Sequence, residues 1–128
     1  MTQQLLFVYG TLRPGCNDPM AAWLMSVARH AGRANARGRL FRVQHYPGFV
    51  PCPSGIVAGD LFLLSGDPAV LDRLDVYEEC SPDYPAPHEY RRERLIVESD
   101  NGPAEAWVYV YQWNVDGLDL IESGDFLA

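Results

Sequence analysis

Apolar and polar positions along this chain switch between two periods. Leu5 to Tyr9 (LLFVY) is a continuous apolar run that stops at Gly10, as a short strand covered on both faces would read. Pro19 then opens PMAAWLMSVARHAG, where Met20, Trp23, Leu24 and Val27 recur at helical spacing; Asp18 stands at the cap position and Gly32 marks the expected stop. ARGRLFRV (36–43) and IVAGDLFLL (56–64) are β-like. The stretch between them, YPGFVPCPSG, carries three prolines, which cannot donate to a ladder, so a loop is predicted there. From Pro68, PAVLDRLDVYEE returns to helical spacing, with Leu71, Leu74 and Glu78 on one face at i, i+3 and i+7. ECSPDYPAPHE is irregular. YRRERLIVES and AEAWVYVYQW predict two strands joined by Ser99-Asp100-Asn101-Gly102, because Asn-Gly between β runs is a strong hairpin signal.

Many strands, two helices and no internal repeat predict an α+β fold: a mixed or antiparallel sheet that closes toward a small β-barrel flanked by helices. A length of 128 residues suits one domain, 1–128, with a single core. At 48% apolar and 21% charged residues the composition is globular, far from the disordered class. A net charge of −7 argues against nucleic acid, where affinity comes largely from Lys and Arg at phosphates; the cluster Arg91, Arg92, Arg94 reads as a charged strand face. The start MTQQLLFVYG lacks the basic residues and longer apolar region of a secretory signal, and no apolar run approaches the roughly 18 to 20 residues that span a bilayer. Cys16, Cys52 and Cys80 form no C-x-x-C pair and are expected to be reduced thiols, so the expected location is the cytoplasm.

Candidate chemistry begins with FVYGTLRPGCN. Gly10 and Gly15 have the spacing of a nucleotide P-loop, but Cys16 and Asn17 stand where its lysine and magnesium-binding hydroxyl belong, and Pro14 removes an N–H from the cradle. A nucleoside triphosphate is excluded, and a smaller anion held by consecutive N–H groups is left. The second candidate is Glu78. If the face carrying Leu71 and Leu74 packs on the core, its carboxylate follows them. Desolvation, the acids Asp75 and Glu79, and the negative end of the helix dipole would then raise its pKa together, as for a general acid/base working near neutral pH. Otherwise the last turn frays and Glu78 points into water.

Taken in order, these segments resemble the γ-glutamylcyclotransferase-like family, including its avirulence-induced-gene-like and γ-glutamylamine cyclotransferase branches. Tyr9-Gly10-Thr11-Leu12 matches that family's Y-G-[ST]-L, and Leu74-Asp75-Val76-Tyr77-Glu78 matches its L-D-x-x-E. Tyr90-Arg91-Arg92 fits the distal Y-x-R, and Gly59, the strand AWVYVY and the closing Ser123-Gly124-Asp125-Phe126 extend the likeness over nearly the whole chain. The resemblance implies that the backbone of Tyr9, Gly10, Thr11 and Leu12 holds the α-carboxylate of a small-molecule γ-glutamyl substrate. It implies Glu78 as acid/base, 5-oxoproline and a free amine as products, and no metal or organic cofactor. Glu79 departs from the pattern, since glycine often follows the motif glutamate, and it leaves a rival carboxylate beside Glu78.

Other readings compete. Cys16 would be a nucleophile if His30, His45 or His88 came beside it. Those histidines lie at no metal-ligating spacing. The same fold could carry a small metabolite without turning it over. Trp107, Tyr109, Tyr111 and Trp113 alternate with Val108, Val110 and Gln112, which reads as core packing, with Tyr109 or Tyr111 the ring that reaches a substrate; Tyr111 is taken as the candidate.

Overall fold

In the computed structural model, which describes residues 4–127, the first apolar run forms β1 (Gln4–Val8). It lies between β3 (Pro47–Leu64), antiparallel, and β5 (Gly102–Tyr111), parallel. With a neighbour on each edge, both of its faces are covered. Phe7 enters one hydrophobic cluster, whereas Leu6 and Val8 enter another, so the run has no polar alternation.

The first cluster draws Phe7, Leu40, Phe49, Val57, Val97 and Val108 from five strands that pair in a closed ring: β3, β1, β5, β4 (Tyr90–Ser99), β2 (Arg29–Arg42), and back to β3. Only Ala34↔Ser99 and Asn35↔Glu98 join β2 to β4, so the ring is thinly closed there. The short β6 (Asp119–Leu120) adds to the free side of β2. The second cluster lies outside, under α1 (Pro19–Val27) and α2 (Pro68–Tyr77), where Leu24, Val70 and Leu74 meet the rings of Tyr109 and Tyr111. The fold is α+β with a mixed sheet, as the pattern predicts. No helix among the described residues is long and apolar enough to cross a membrane.

Both helices start where their caps stand. Asp18 accepts from the Met20 N–H at 2.8 Å and Asp67 from the Ala69 N–H at 3.0 Å, each just before a proline that has no N–H to satisfy. Two expectations are corrected. Helix α1 ends at Val27 rather than near Gly32, because Arg29 and His30 pair with Leu63 and Phe62 in the sheet; Gly32, at φ +99°, is part of the bulge before Arg33 resumes pairing. The proline-rich stretch is strand rather than loop. Pro47 and Pro51 oppose Arg42 and Gly38 of β2, and residues 52–55 bulge out before Ile56 meets Arg37. Prolines survive there because β1 covers only residues 60–64 of β3, leaving the earlier half an edge whose missing N–H groups cost no ladder bond. The hairpin forms as expected, with Ser99 opposite Gly102.

Candidate active site

Strand β1 delivers Tyr9 and the Gly10–Leu12 turn to one end of the ring, where α2 also ends. Between them is a cavity of about 250 Å³ lined by Tyr9, Gly10, Thr11, Leu12 and Glu78, with Tyr46, Tyr90 and Tyr109 among its walls. The two sequence motifs, about 65 residues apart, therefore meet in one pocket, of a size near the lower bound for small-molecule sites (about 300 Å³). The Arg13 N–H closes the turn onto the Gly10 carbonyl at 3.0 Å. Among the described residues no protein acceptor receives the N–H of Gly10, Thr11 or Leu12. Gly10 is required by space: a Cβ there would sit 2.7 Å from the Pro47 ring.

Glu78 is the C-cap of α2, its N–H bonded to the Leu74 carbonyl at 2.9 Å. Leu74 is fully buried one turn earlier, and this phase turns Glu78 inward. Burial pushes its carboxyl up to about 8, helped in turn by the charges of Glu89, Asp18, Asp75 and Glu79. Four tyrosines, Tyr9, Tyr77, Tyr90 and Tyr109, are close enough to feel its charge, yet none donates to it. Tyr9 donates to the Tyr109 carbonyl (2.6 Å), Tyr90 to the Pro47 carbonyl (2.7 Å), Tyr109 to Asp75 (2.7 Å) and Tyr77 to Asp18 (3.2 Å). With every nearby hydroxyl committed elsewhere, no hydrogen bond steadies the ionised form, and the proton is held to high pH.

Asp75 of the same motif has a structural task. Arg92 grips both its oxygens, at 2.9 and 3.1 Å, while its guanidinium stacks over Trp107 at 4.3 Å. This ties the end of α2 to β4 and β5. It also accounts for the distal motif: Tyr90 lines the cavity and Arg92 fixes Asp75.

Glu78 and Glu79 differ in backbone conformation. Glu79 N–H bonds to the Val76 carbonyl and Cys80 N–H to the Asp75 carbonyl, a Schellman closure that puts Glu79 at φ +57°. A glycine takes that conformation freely and a glutamate does not. Glu79 is exposed at the rim, whereas Glu78 is drawn inward. Replacing Glu79 by glycine should therefore stabilise the protein by about 1 kcal/mol in urea unfolding, without the large fall in turnover expected at Glu78.

One site expectation fails on position. Tyr111 does not line the cavity. It stands opposite Tyr90 in the hairpin, its ring 5.5 Å from Tyr90's and over Gly48, where a Cβ would come within 2.7 Å of it. Tyr109, two residues earlier on the same face, lines the cavity instead. Cys16 is also outside the lining; its thiol lies 3.5 Å from the Gly10 carbonyl, and burial raises its pKa, against a thiolate.

Sequence reasoning missed the support beneath the turn. Arg13 is 2% exposed, and its Nε donates to Asp60 at 2.8 Å while Nη1 donates to Asp125 at 2.7 Å. His30 Nε2 lies 2.9 Å from the other Asp60 oxygen. The Ser123-Gly124-Asp125-Phe126 segment thus clamps the residue that follows the first motif; its recurrence as a motif was the available signal. Glu89 and Tyr46 also line the cavity, with no sequence signal to mark them.

Fold and site together define a small α+β protein in which the Glu78 carboxyl and the Gly10–Leu12 turn line one cavity. Comparison with known proteins agrees. Residues 6–128 match the family described as gamma-glutamyl cyclotransferase, AIG2-like. The chain is 34% identical over 122 residues to the gamma-glutamylcyclotransferase family protein YtfP of Escherichia coli strain K12, covering 95% of each. The solution structure of Escherichia coli ytfP superposes with a TM-score of 0.66 at 35% identity, covering 97% of this chain and 96% of that one. A crystal structure of an AIG2-like protein from Mus musculus gives 0.76 at 22% identity, over 95% and 88%, a likeness of fold alone. This chain belongs to the γ-glutamylcyclotransferase, AIG2-like family, and that membership supports a cyclotransferase type of activity.

Proposed function

We propose that the protein converts a γ-glutamyl amine or γ-glutamyl amino acid to 5-oxoproline and a free amine. The observation that carries this reading is the pairing, in one cavity, of a Glu78 carboxyl and a turn with its Gly10, Thr11 and Leu12 amides, the one without a donor and the other without an acceptor among the described residues. The amides suit the substrate's α-carboxylate. Glu78 then takes a proton from the α-ammonium, the freed amine attacks the side-chain carbonyl, and a C–N bond closes a five-membered ring. The old amide C–N bond breaks as the proton on Glu78 passes to the departing nitrogen; the second proton, shed by the ring nitrogen as it becomes the lactam N–H, follows through the same carboxylate, so the amine leaves as an ammonium ion. Glu78 ends as it began, and nothing else is consumed. Because the nucleophile belongs to the substrate, holding it in the folded conformer supplies a high effective molarity. The reaction as written calls on no metal or organic cofactor.

The test is incubation of the purified protein with γ-glutamyl-lysine, γ-glutamyl-alanine and glutathione while 5-oxoproline is measured. Release from at least one is expected. Binding without release across the panel would favour a non-catalytic metabolite carrier on the same fold.

A further inference from the structure

Glu89 belongs to neither motif, yet it lines the same cavity as Glu78 and acts on it more strongly than any other charge. It is held at two points. The Tyr46 hydroxyl donates to Glu89 Oε2 at 2.7 Å, and the Glu89 carbonyl accepts the Gln112 N–H at 2.8 Å. Among the described residues no arginine lines the cavity, His45 is the one basic side chain in its lining, and the sequence contains no lysine. Among the described residues no basic side chain pairs with Glu89. The cavity lining therefore holds two unlike features: main-chain amides at Gly10–Leu12, suited to an anion, and a Glu89 carboxyl that pairs with no basic side chain among the described residues. A wall of this kind attracts a positive group and repels a carboxylate placed against it.

We propose that Glu89, positioned by Tyr46, binds an ammonium group of the substrate and so helps to select which γ-glutamyl compounds the cavity accepts. This rests on the cyclotransferase reading above. Two ammonium groups fit the chemistry: the substrate's own α-amine, and a second amine carried by the leaving group. Glu78 stays the proton carrier and Glu89 acts by charge alone.

The experiment uses three γ-glutamyl amides whose leaving groups are a neutral monoamine, an amino acid and a diamine with one free ammonium. 5-Oxoproline release is followed for the native protein, Glu89→Gln and Tyr46→Phe. Affinity is measured by calorimetry in a Glu78→Gln background, with and without Glu89→Gln. Glutamine still accepts the Tyr46 hydrogen bond and removes only the charge, so KM and Kd should rise about tenfold to a hundredfold, with kcat falling far less. Tyr46→Phe keeps the charge but loses the hold, and should give a smaller rise for the same substrates. A rise shared by all three amides identifies the α-ammonium, and a rise confined to the diamine amide identifies the leaving group. Unchanged KM and Kd for all three, or a fall in kcat alone, overturns the proposal. Binding of the amides without 5-oxoproline release defeats the cyclotransferase reading and leaves Glu89 judged on Kd; no binding of any of them defeats both.

Discussion

Glu78→Gln is expected to lower kcat about a hundredfold to ten-thousandfold, the usual worth of a positioned acid/base. The substitution keeps size and shape and removes only the titratable proton. For the native protein, kcat/KM should climb with pH through about 8, where Glu78 gives up its proton; the variant should lack that limb. In the complex the substrate's ammonium favours the carboxylate, so the limb of kcat lies at lower pH. The same shift has a stability signature whose sign is fixed. The folded protein holds the Glu78 proton from the ordinary value of 4.5 up to about 8, so this group's contribution is complete below 4.5 and lost as pH rises through 8. Glu78→Gln should therefore unfold at higher urea than the native protein at pH 9, with the gap closing toward pH 5. Full turnover by the variant would refute the assignment.

Arg13→Met should destabilise the protein by about 3 kcal/mol in urea unfolding, the lower end of the cost of breaking a buried ion pair, because His30 still faces Asp60. The side chains of Arg13 and Asp60 are only 3% and 7% exposed, and Asp125 loses its bond as well. Adding Asp60→Asn should recover part of the loss, because a neutral amide is cheaper to bury than a carboxylate that has lost its arginine. By contrast, Arg94 and Glu105 pair at 3.1 Å with about half of each side chain exposed, and breaking that pair should cost under about 1 kcal/mol. Burial works to raise the pKa of Asp125, but the hydrogen bonds from Arg13 and the Leu127 N–H and the charges of Arg13 and Arg33 outweigh it and hold the carboxyl below its usual 3.8. Its contribution is thus present above 3.8 and fades as pH falls below, so the difference between native and Arg13→Met should shrink in acid. A loss near 1 kcal/mol at neutral pH would mean the clamp is decorative.

Local signals served best where the chain itself supplies the partner. A cap aspartate bonds an N–H two residues on, a proline at the first helical position needs no partner, and Asn-Gly turns within four residues; these elements appear where the pattern places them. They failed where the partner is distant. Whether Pro47 can sit in a strand depends on how far β1 reaches along β3. Whether Arg29 continues a helix depends on Leu63 being free to pair. Tyr109 and Tyr111 share a face by simple alternation, and only the fold seats Tyr111 over Gly48 and Tyr109 at the cavity.

Read alone, the chain determined its α+β class, both helix starts, the hairpin, the two motifs and the phase that turns Glu78 with Leu74, since each depends on spacing along one backbone. Folding decided what distance hides: that the motifs face one hollow, that four hydroxyls near Glu78 are spent on other acceptors, that Arg13 is locked between Asp60 and Asp125, and that Glu89 is fixed by Tyr46. The charge a side chain feels is summed over neighbours in space, and no periodicity along the sequence encodes that sum.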